Sequence, residues 1–256
     1  MRTALIAGNW KMHLTEKQAV TLTRKLLWVQ NQMPVRGVEV LLCPPFTALS
    51  QLHKLLVGST IKLGAQNMSA EVEGAFTGEI SPLMLAEFCS YVIVGHSERR
   101  AIFGETDALI NRKVKNAITH SLIPILCVGE TLAEKESGKA HQVVYAQMIE
   151  GLKEVPIFSA NQLVVAYEPV WAIGTGWTAT PQESNALIAA TIRPALVRLF
   201  GEQVANGVSV LYGGSVKPDN ARGFFQQPEI DGALVGGASL DADSFRGIIE
   251  AARNCS

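Results

Sequence analysis

Apolar residues recur along the chain in short unbroken runs, each closed by small or polar residues and followed by a stretch whose apolar positions fall three to four apart. The runs are Ala4–Ala7, Val38–Leu42, Ile61–Gly64, Tyr91–Val94, Ile123–Val128, Leu163–Tyr167, Val208–Tyr212 and Gly232–Val235. Their β-branched content and lack of alternation predict eight strands buried on both faces. Between them, sets such as Leu109, Ile110, Val114, Ala117 and Ile118 line one face of a helix. A strand followed by a helix, repeated, requires parallel pairing, because each crossover must bring the chain back to the start of the next strand. No linker rich in Pro, Gly or Ser divides the 256 residues. The pattern therefore predicts one α/β domain over residues 1–256, a single-domain (β/α)8 barrel with eight parallel strands and no free edge. A doubly wound open sheet is the alternative. Against it, the glycine-rich spots follow the last three runs and no GxGxxG follows the first.

Two local signals refine this reading. Thr180-Pro-Gln-Glu183 offers a cap hydroxyl, proline at the first helical position and a glutamate three residues after the cap. Together they predict a capping box and a helix that starts there. Pro194, farther along the same helical pattern, lacks the N–H that a straight helix needs, so a kink or break is expected near residues 190 to 194.

Composition narrows the partners. Lys and Arg total 22 against 23 Asp and Glu, with no block of like sign. Neither nucleic acid nor an anionic membrane is suggested, and an anionic ligand must be held by local features. Cys43, Cys89, Cys127 and Cys255 lie far apart without CxxC or Cys/His metal spacing. They read as reduced thiols of a cytoplasmic protein, with no metal site expected. The first apolar run begins after three residues, and no run approaches the roughly 18 that span a bilayer, so neither a targeting segment nor a membrane span is expected.

In a parallel barrel the residues that close each run gather on one rim, where the chemistry of such barrels lies. The runs deliver Asn9 and Lys11, then Gln66 and Asn67, His96 and Glu98, Cys127 and Glu130, and Glu168. The last two end in Gly213-Gly-Ser215 and Gly236-Gly237. Singly, a lysine at a strand end is usually a solvated charge, a histidine before Ser-Glu-Arg-Arg a cap, and a Gly-Gly pair a turn. Glu168 is harder to dismiss, because a carboxylate ending so apolar a run is desolvated. Jointly, a cation, a histidine and a carboxylate beside two glycine-rich turns fit a small phosphorylated substrate, its phosphate held by backbone N–H groups. Glu168 can act as general base, His96 and Asn9 can donate to a carbonyl oxygen, and Lys11 can stabilise the charge that develops. That describes proton abstraction next to a carbonyl, with no cofactor. A Schiff-base aldolase using Lys11 competes, although a lysine beside Glu98 tends to remain an ammonium and a poor nucleophile. So does a barrel kept only for binding.

Gly8-Asn-Trp-Lys-Met12, Gly95-His-Ser-Glu-Arg-Arg100, Cys127-Val-Gly-Glu130, Ala166-Tyr-Glu-Pro-Val-Trp-Ala-Ile-Gly-Thr-Gly176, Tyr212-Gly-Gly-Ser215 and Leu234-Val-Gly-Gly237 stand in this order along the whole chain. In these motifs the sequence resembles the triosephosphate isomerase family. The resemblance implies a barrel that interconverts dihydroxyacetone phosphate and glyceraldehyde 3-phosphate through an enediolate, in glycolysis and gluconeogenesis. It implies Glu168 as the base and His96 as a neutral electrophile at the start of a short helix near Ser97. Lys11 and Asn9 match groups that bind substrate and steady the oxyanion, and Glu98 matches a carboxylate behind them. Gly174, Ser215, Gly236 and Gly237 match positions whose N–H groups hold phosphate. The loop after Glu168 matches a lid, with Val170, Trp171 and Ile173 as apolar cover. Trp177 departs from the lysine usual at the end of that lid and is expected to alter its timing. The stretch Gln66–Ile80 resembles a loop that enters a partner subunit near Thr77, which implies a homodimer. Were that loop merely exposed, Phe76 and Met68 would be wet.

Overall fold

In a computed structural model, which describes residues 2–32, 37–173, 177–253 and 255, the eight expected strands form. They are β1 (Ala4–Asn9), β2 (Val38–Cys43), β3 (Lys62–Ala65), β4 (Tyr91–Val94), β5 (Ile123–Val128), β6 (Val164–Tyr167), β7 (Ser209–Tyr212) and β8 (Gly232–Val235). All pair in parallel in chain order, and β1 bonds to both β2 and β8, so the sheet is a closed barrel. The open doubly wound alternative is excluded. Five strands differ from the apolar runs at their ends: β1 and β2 extend through Asn9 and Cys43, β3 is shifted to end at Ala65, and β6 and β7 each begin one residue later. Backbone pairing continues past the point where hydrophobicity stops. The crossovers carry helices, from Glu16–Gln32 after β1 to Pro218–Phe225 after β7, but the one after β3 has only the short helix Pro82–Ala86. A long loop fills the rest.

Strand side chains alternate, and the barrel uses both sets. Inward lie Leu5 and Ala7, Leu41 and Cys43, Tyr91 and Ile93, Ile125 and Cys127, Val164 and Ala166, Leu211 and Leu234. The other set packs against the helices in a larger core that includes Ile6, Val92, Val165 and Phe245. On β3 a Cβ at Gly64 would stand 2.9 Å from Cys43 Sγ and 3.2 Å from Tyr91 Cβ. Glycine there leaves room for Cys43 and Tyr91 on the two neighbouring strands.

Both local signals hold. Thr180 and Glu183 form the reciprocal capping box at the start of Pro181–Leu187. The break near Pro194 is a π-helical segment, Ile188–Ile192, followed by Arg193–Ala205 with Pro194 in its first turn. The wider turn accommodates the missing N–H.

A buried charged cluster anchors the loop after β3. Lys113 Nζ donates to Glu105 at 2.5 Å and to Asn67 Oδ1 at 2.8 Å, while Arg99 Nε meets the same Glu105 oxygen at 2.5 Å. Burial alone would raise the Glu105 carboxyl, but Lys113 and Arg99 hold it below its usual range. Met68 is fully buried within its own chain and does not need a partner to stay dry, contrary to expectation. Its neighbour Asn67 is tied down by Lys113, which draws the first turn of the loop inward. Phe76, at the tip, is 47% exposed. Among the described residues no helix is long and apolar enough to cross a membrane.

Closure depends on Gly232, whose φ is +148° and whose Cβ, if present, would sit 2.0 Å from the Leu5 carbonyl oxygen. Gly232→Ala is expected to cost about 3 kcal/mol or more by forcing β1 and β8 apart. Urea denaturation of the two proteins checks it: an unchanged midpoint would show that the seam tolerates a side chain.

Candidate active site

The inward alternation continues beyond the strand ends. Leu5 and Ala7 on β1 are followed by Asn9; Val164 and Ala166 on β6 by Glu168; Leu211 by Gly213; and Leu234 by Gly236. The two-residue period thus carries a carboxylate, an amide and two glycines onto the rim. They line a cavity of about 290 Å³ together with Lys11, His96, Ile173, Ser215, Lys217 and Gly237. A larger cavity of about 980 Å³ opens at the opposite end, beside Ala4, Gly37 and Gly232. Of its charged residues, Arg2 and Asp231 are engaged with each other at 2.6 Å and Arg253 is exposed, and among the described residues it holds neither a histidine nor a glutamate.

Glu168 is 2% exposed, and its carboxylate is fully engaged. Oε2 accepts from the Ser97 N–H at 2.9 Å, and Oε1 lies 3.1 Å from His96 Nε2. His96 caps the helix Ser97–Phe103, its Nδ1 accepting from the Glu98 N–H at 3.2 Å. A ring nitrogen that accepts carries no proton, so the proton of the neutral ring lies on Nε2 and points toward Glu168. Two N–H groups that a helix start leaves without internal partners are thereby used, one for each side chain.

Lys11 takes the left-handed backbone conformation, φ +50°. Two contacts hold it there: its N–H donates to Asn9 Oδ1 at 3.0 Å, and Gln66 Nε2 donates to its carbonyl at 2.9 Å. Its ammonium meets Glu98 at 2.7 Å. Burial would push the Glu98 carboxyl up, but the Lys11 hydrogen bond and the nearby charges hold it below its usual range. Cys127 lies under Glu168; burial, then the Glu168 charge, pushes its thiol well up, so it is an inert floor rather than a nucleophile.

Other rim residues serve as supports. Glu130, buried outside the cavity, accepts from Tyr167 Oη at 3.1 Å and from Trp171 Nε1 at 2.7 Å, with Lys135 Nζ 3.3 Å from the centre of the Trp171 ring. It fixes the first turn of the loop after Glu168. Asn67 is directed to Lys113 rather than to the cavity. Gly174 falls outside the described residues, and Trp177 is 68% exposed. Sequence reasoning missed two participants. The sequence places Gly213 in an anion-binding turn without any sign that it packs on the base, yet a Cβ there would stand 2.7 Å from Glu168 Cγ. Lys217 was not singled out, although a cation directly after a Gly-Gly-Ser turn was a readable signal.

The arrangement unites a dry carboxylate, a ring N–H, an ammonium and glycine-rich turns, a set suited to moving a proton beside a polarised oxygen. The triosephosphate isomerase family model matches residues 4–252. The chain is 53% identical to the triosephosphate isomerase of Carboxydothermus hydrogenoformans, over 98% of this chain and 99% of that protein. It is 53% identical to the one of Chloroflexus aurantiacus, over 97% and 99%, and 54% identical to the one of a Roseiflexus species, over 97% of each.

Gly213→Ala is expected to push Glu168 away from His96 and to lower turnover about 100-fold, the usual result of misplacing a reacting group by 1 Å. Gly237→Ala, whose Cβ would meet no atom within 4 Å, should leave the 3.1 Å contact in place. Crystal structures of both variants test this, and an unmoved Glu168 in Gly213→Ala would refute it.

Proposed function

The chain belongs to the triosephosphate isomerase family, and from that premise we propose how its own residues interconvert dihydroxyacetone phosphate and D-glyceraldehyde 3-phosphate in glycolysis and, in reverse, in gluconeogenesis. The whole chain, 1–256, acts as one catalytic domain. Its reading rests above all on one observation: the buried Glu168 carboxylate lies 3.1 Å from His96 Nε2 in a cavity that also holds Lys11.

Ser97 N–H engages one Glu168 oxygen and His96 Nε2 the other, so the base must be freed before it can act. A substrate carbonyl oxygen that takes the Nε2–H of His96 does this, leaving Glu168 Oε1 without that partner. The base then removes a proton from the carbon next to the carbonyl, an enediolate forms, the hydroxyl proton passes between its two oxygens by way of His96, and the same carboxyl returns the carbon-bound proton to the neighbouring carbon. Lys11, with Asn9, stabilises the oxyanion, and Glu98 holds the Lys11 ammonium in place. Ser215, Gly236, Gly237 and Gly174 hold the phosphate through backbone N–H groups. The turn Val170–Ala172, with Trp171 tied to Glu130, starts the segment that covers the substrate and keeps water from the enediolate. Every role falls to a side chain or backbone group of the chain itself, in the cytoplasm.

Isomerisation of glyceraldehyde 3-phosphate, coupled to a dehydrogenase that consumes the product, tests the assignment. Glu168→Ala should lose about 100- to 10,000-fold in kcat, the range for a general base. Retention of activity within a few-fold would dismiss Glu168 as the base.

The second part of the proposal is a homodimer. Met12, Phe46, Phe76, Leu83, Ile102 and Phe103 follow β1 to β4 in turn and are 36% to 95% exposed. Successive strands are neighbours in the barrel, so these side chains gather on one side of it, a large apolar surface for a lone chain. A second copy, with each Thr77 loop reaching the other, covers it. Phe76→Asp should convert a dimer into monomers in sedimentation and reduce kcat. A wild-type protein that sediments as a monomer would defeat the reading.

A further inference from the structure

We propose that Lys217 determines specificity for the anionic end of the substrate, a step beyond the phosphate loops assigned above and dependent on that reading. Two lysines line the cavity, Lys11 and Lys217. The first is matched by Glu98 at 2.7 Å, so that pair brings no net charge. Glu168, as a base, is negative and nearly fully buried in the same wall. A phosphate monoester carries about −1.5 to −2 charges at neutral pH, and it must sit close to that carboxylate. Backbone N–H groups of glycine-rich turns supply only partial positive charge. Lys217 is the cation left to offset the two anions: among the described residues its ammonium has no acidic partner.

The local structure keeps it there. The Lys217 N–H donates to Asn220 Oδ1 at 2.8 Å, and Asn220 Nδ2 donates to the Ser215 carbonyl at 3.1 Å. One side chain thus clips both ends of the Ser215–Lys217 turn, so the residue whose N–H faces phosphate and the lysine move as a unit. Pro218 then starts the helix Pro218–Phe225 and restricts the exit of the chain. The remaining freedom is in the lysine stem, long enough to follow an arriving anion. The ammonium therefore steers phosphorylated substrates to the cavity and holds them more tightly than neutral trioses.

The test uses the full-length protein with Lys217→Gln, Lys217→Arg and, as a charge control on an exposed helix, Lys54→Gln. Inorganic phosphate serves as a competitive inhibitor. Lys217→Gln should raise KM and the phosphate inhibition constant together by roughly three- to tenfold, with the loss in KM rather than kcat. It should also flatten the fall of kcat/KM with ionic strength, while Lys217→Arg restores all three and Lys54→Gln changes none. Unchanged KM, inhibition constant and salt slope in Lys217→Gln would overturn the inference. So would an equal change in Lys54→Gln, which would reduce the effect to overall charge. Failure of inorganic phosphate to compete in the wild type would instead overturn the phosphate-loop assignment itself.

Discussion

The seam between β1 and β8 is the constraint on which the rest depends. The other seven pairings alone would leave an open twisted sheet, and only when Leu5 stands beside Gly232 do all eight strand ends face one another across a rim. Gly232 permits that approach because it has no Cβ to meet the Leu5 carbonyl. Closure also places the inner side chains on a common axis, so that a two-residue period, repeated on each strand, delivers Asn9, Glu168, Gly213 and Gly236 to one small space. No single loop could do this, since the residues come from strands more than two hundred positions apart in the chain.

Within that space the problem is to keep a carboxylate dry without neutralising it. Burial of a charge is unfavourable unless hydrogen bonds replace water. Here the start of the helix Ser97–Phe103 provides one N–H directly, and a second polar hydrogen through His96. The same helix end fixes the His96 tautomer through the Glu98 N–H. One short helix therefore positions both members of the acid–base pair. The glycines around them have the opposite task. At Gly213 and at Gly129, where a Cβ would lie 1.7 Å from the Glu168 carbonyl oxygen, the absence of a side chain leaves the base its place.

The third crossover shows how a buried charge can organise a surface. Lys113, Glu105 and Arg99 form their cluster below the loop, and Asn67 joins it from above. Taking one partner away would leave an uncompensated charge in the core, which is far more costly than the pair is stabilising. The base of the loop is held inward, with Met68 in the core, while Phe76 and Thr77 project. A rigid base and a protruding tip suit a loop that is completed by a second copy.

Periodicity by itself determined the eight parallel strands, because a strand buried on both faces must be continuously apolar and a crossover helix must be amphipathic. The capping box at Thr180 and the break before Pro194 were legible for the same reason: each follows from the chemistry of one to four adjacent residues. Glu168, His96 and Lys11 could be named as candidates because polar residues at the ends of such runs are conspicuous. What only the tertiary structure decided was which polar groups meet. Asn67 and Glu130 stand at strand ends as Asn9 and Glu168 do, yet the first bonds to Lys113 and the second to Tyr167 and Trp171, away from the cavity. Met68 lies in a polar loop but is buried, and Gly213 stands against Glu168 across a gap of 45 positions. Burial and hydrogen-bond choice depend on what lies opposite in space, and a chain pattern records only what lies beside it in sequence.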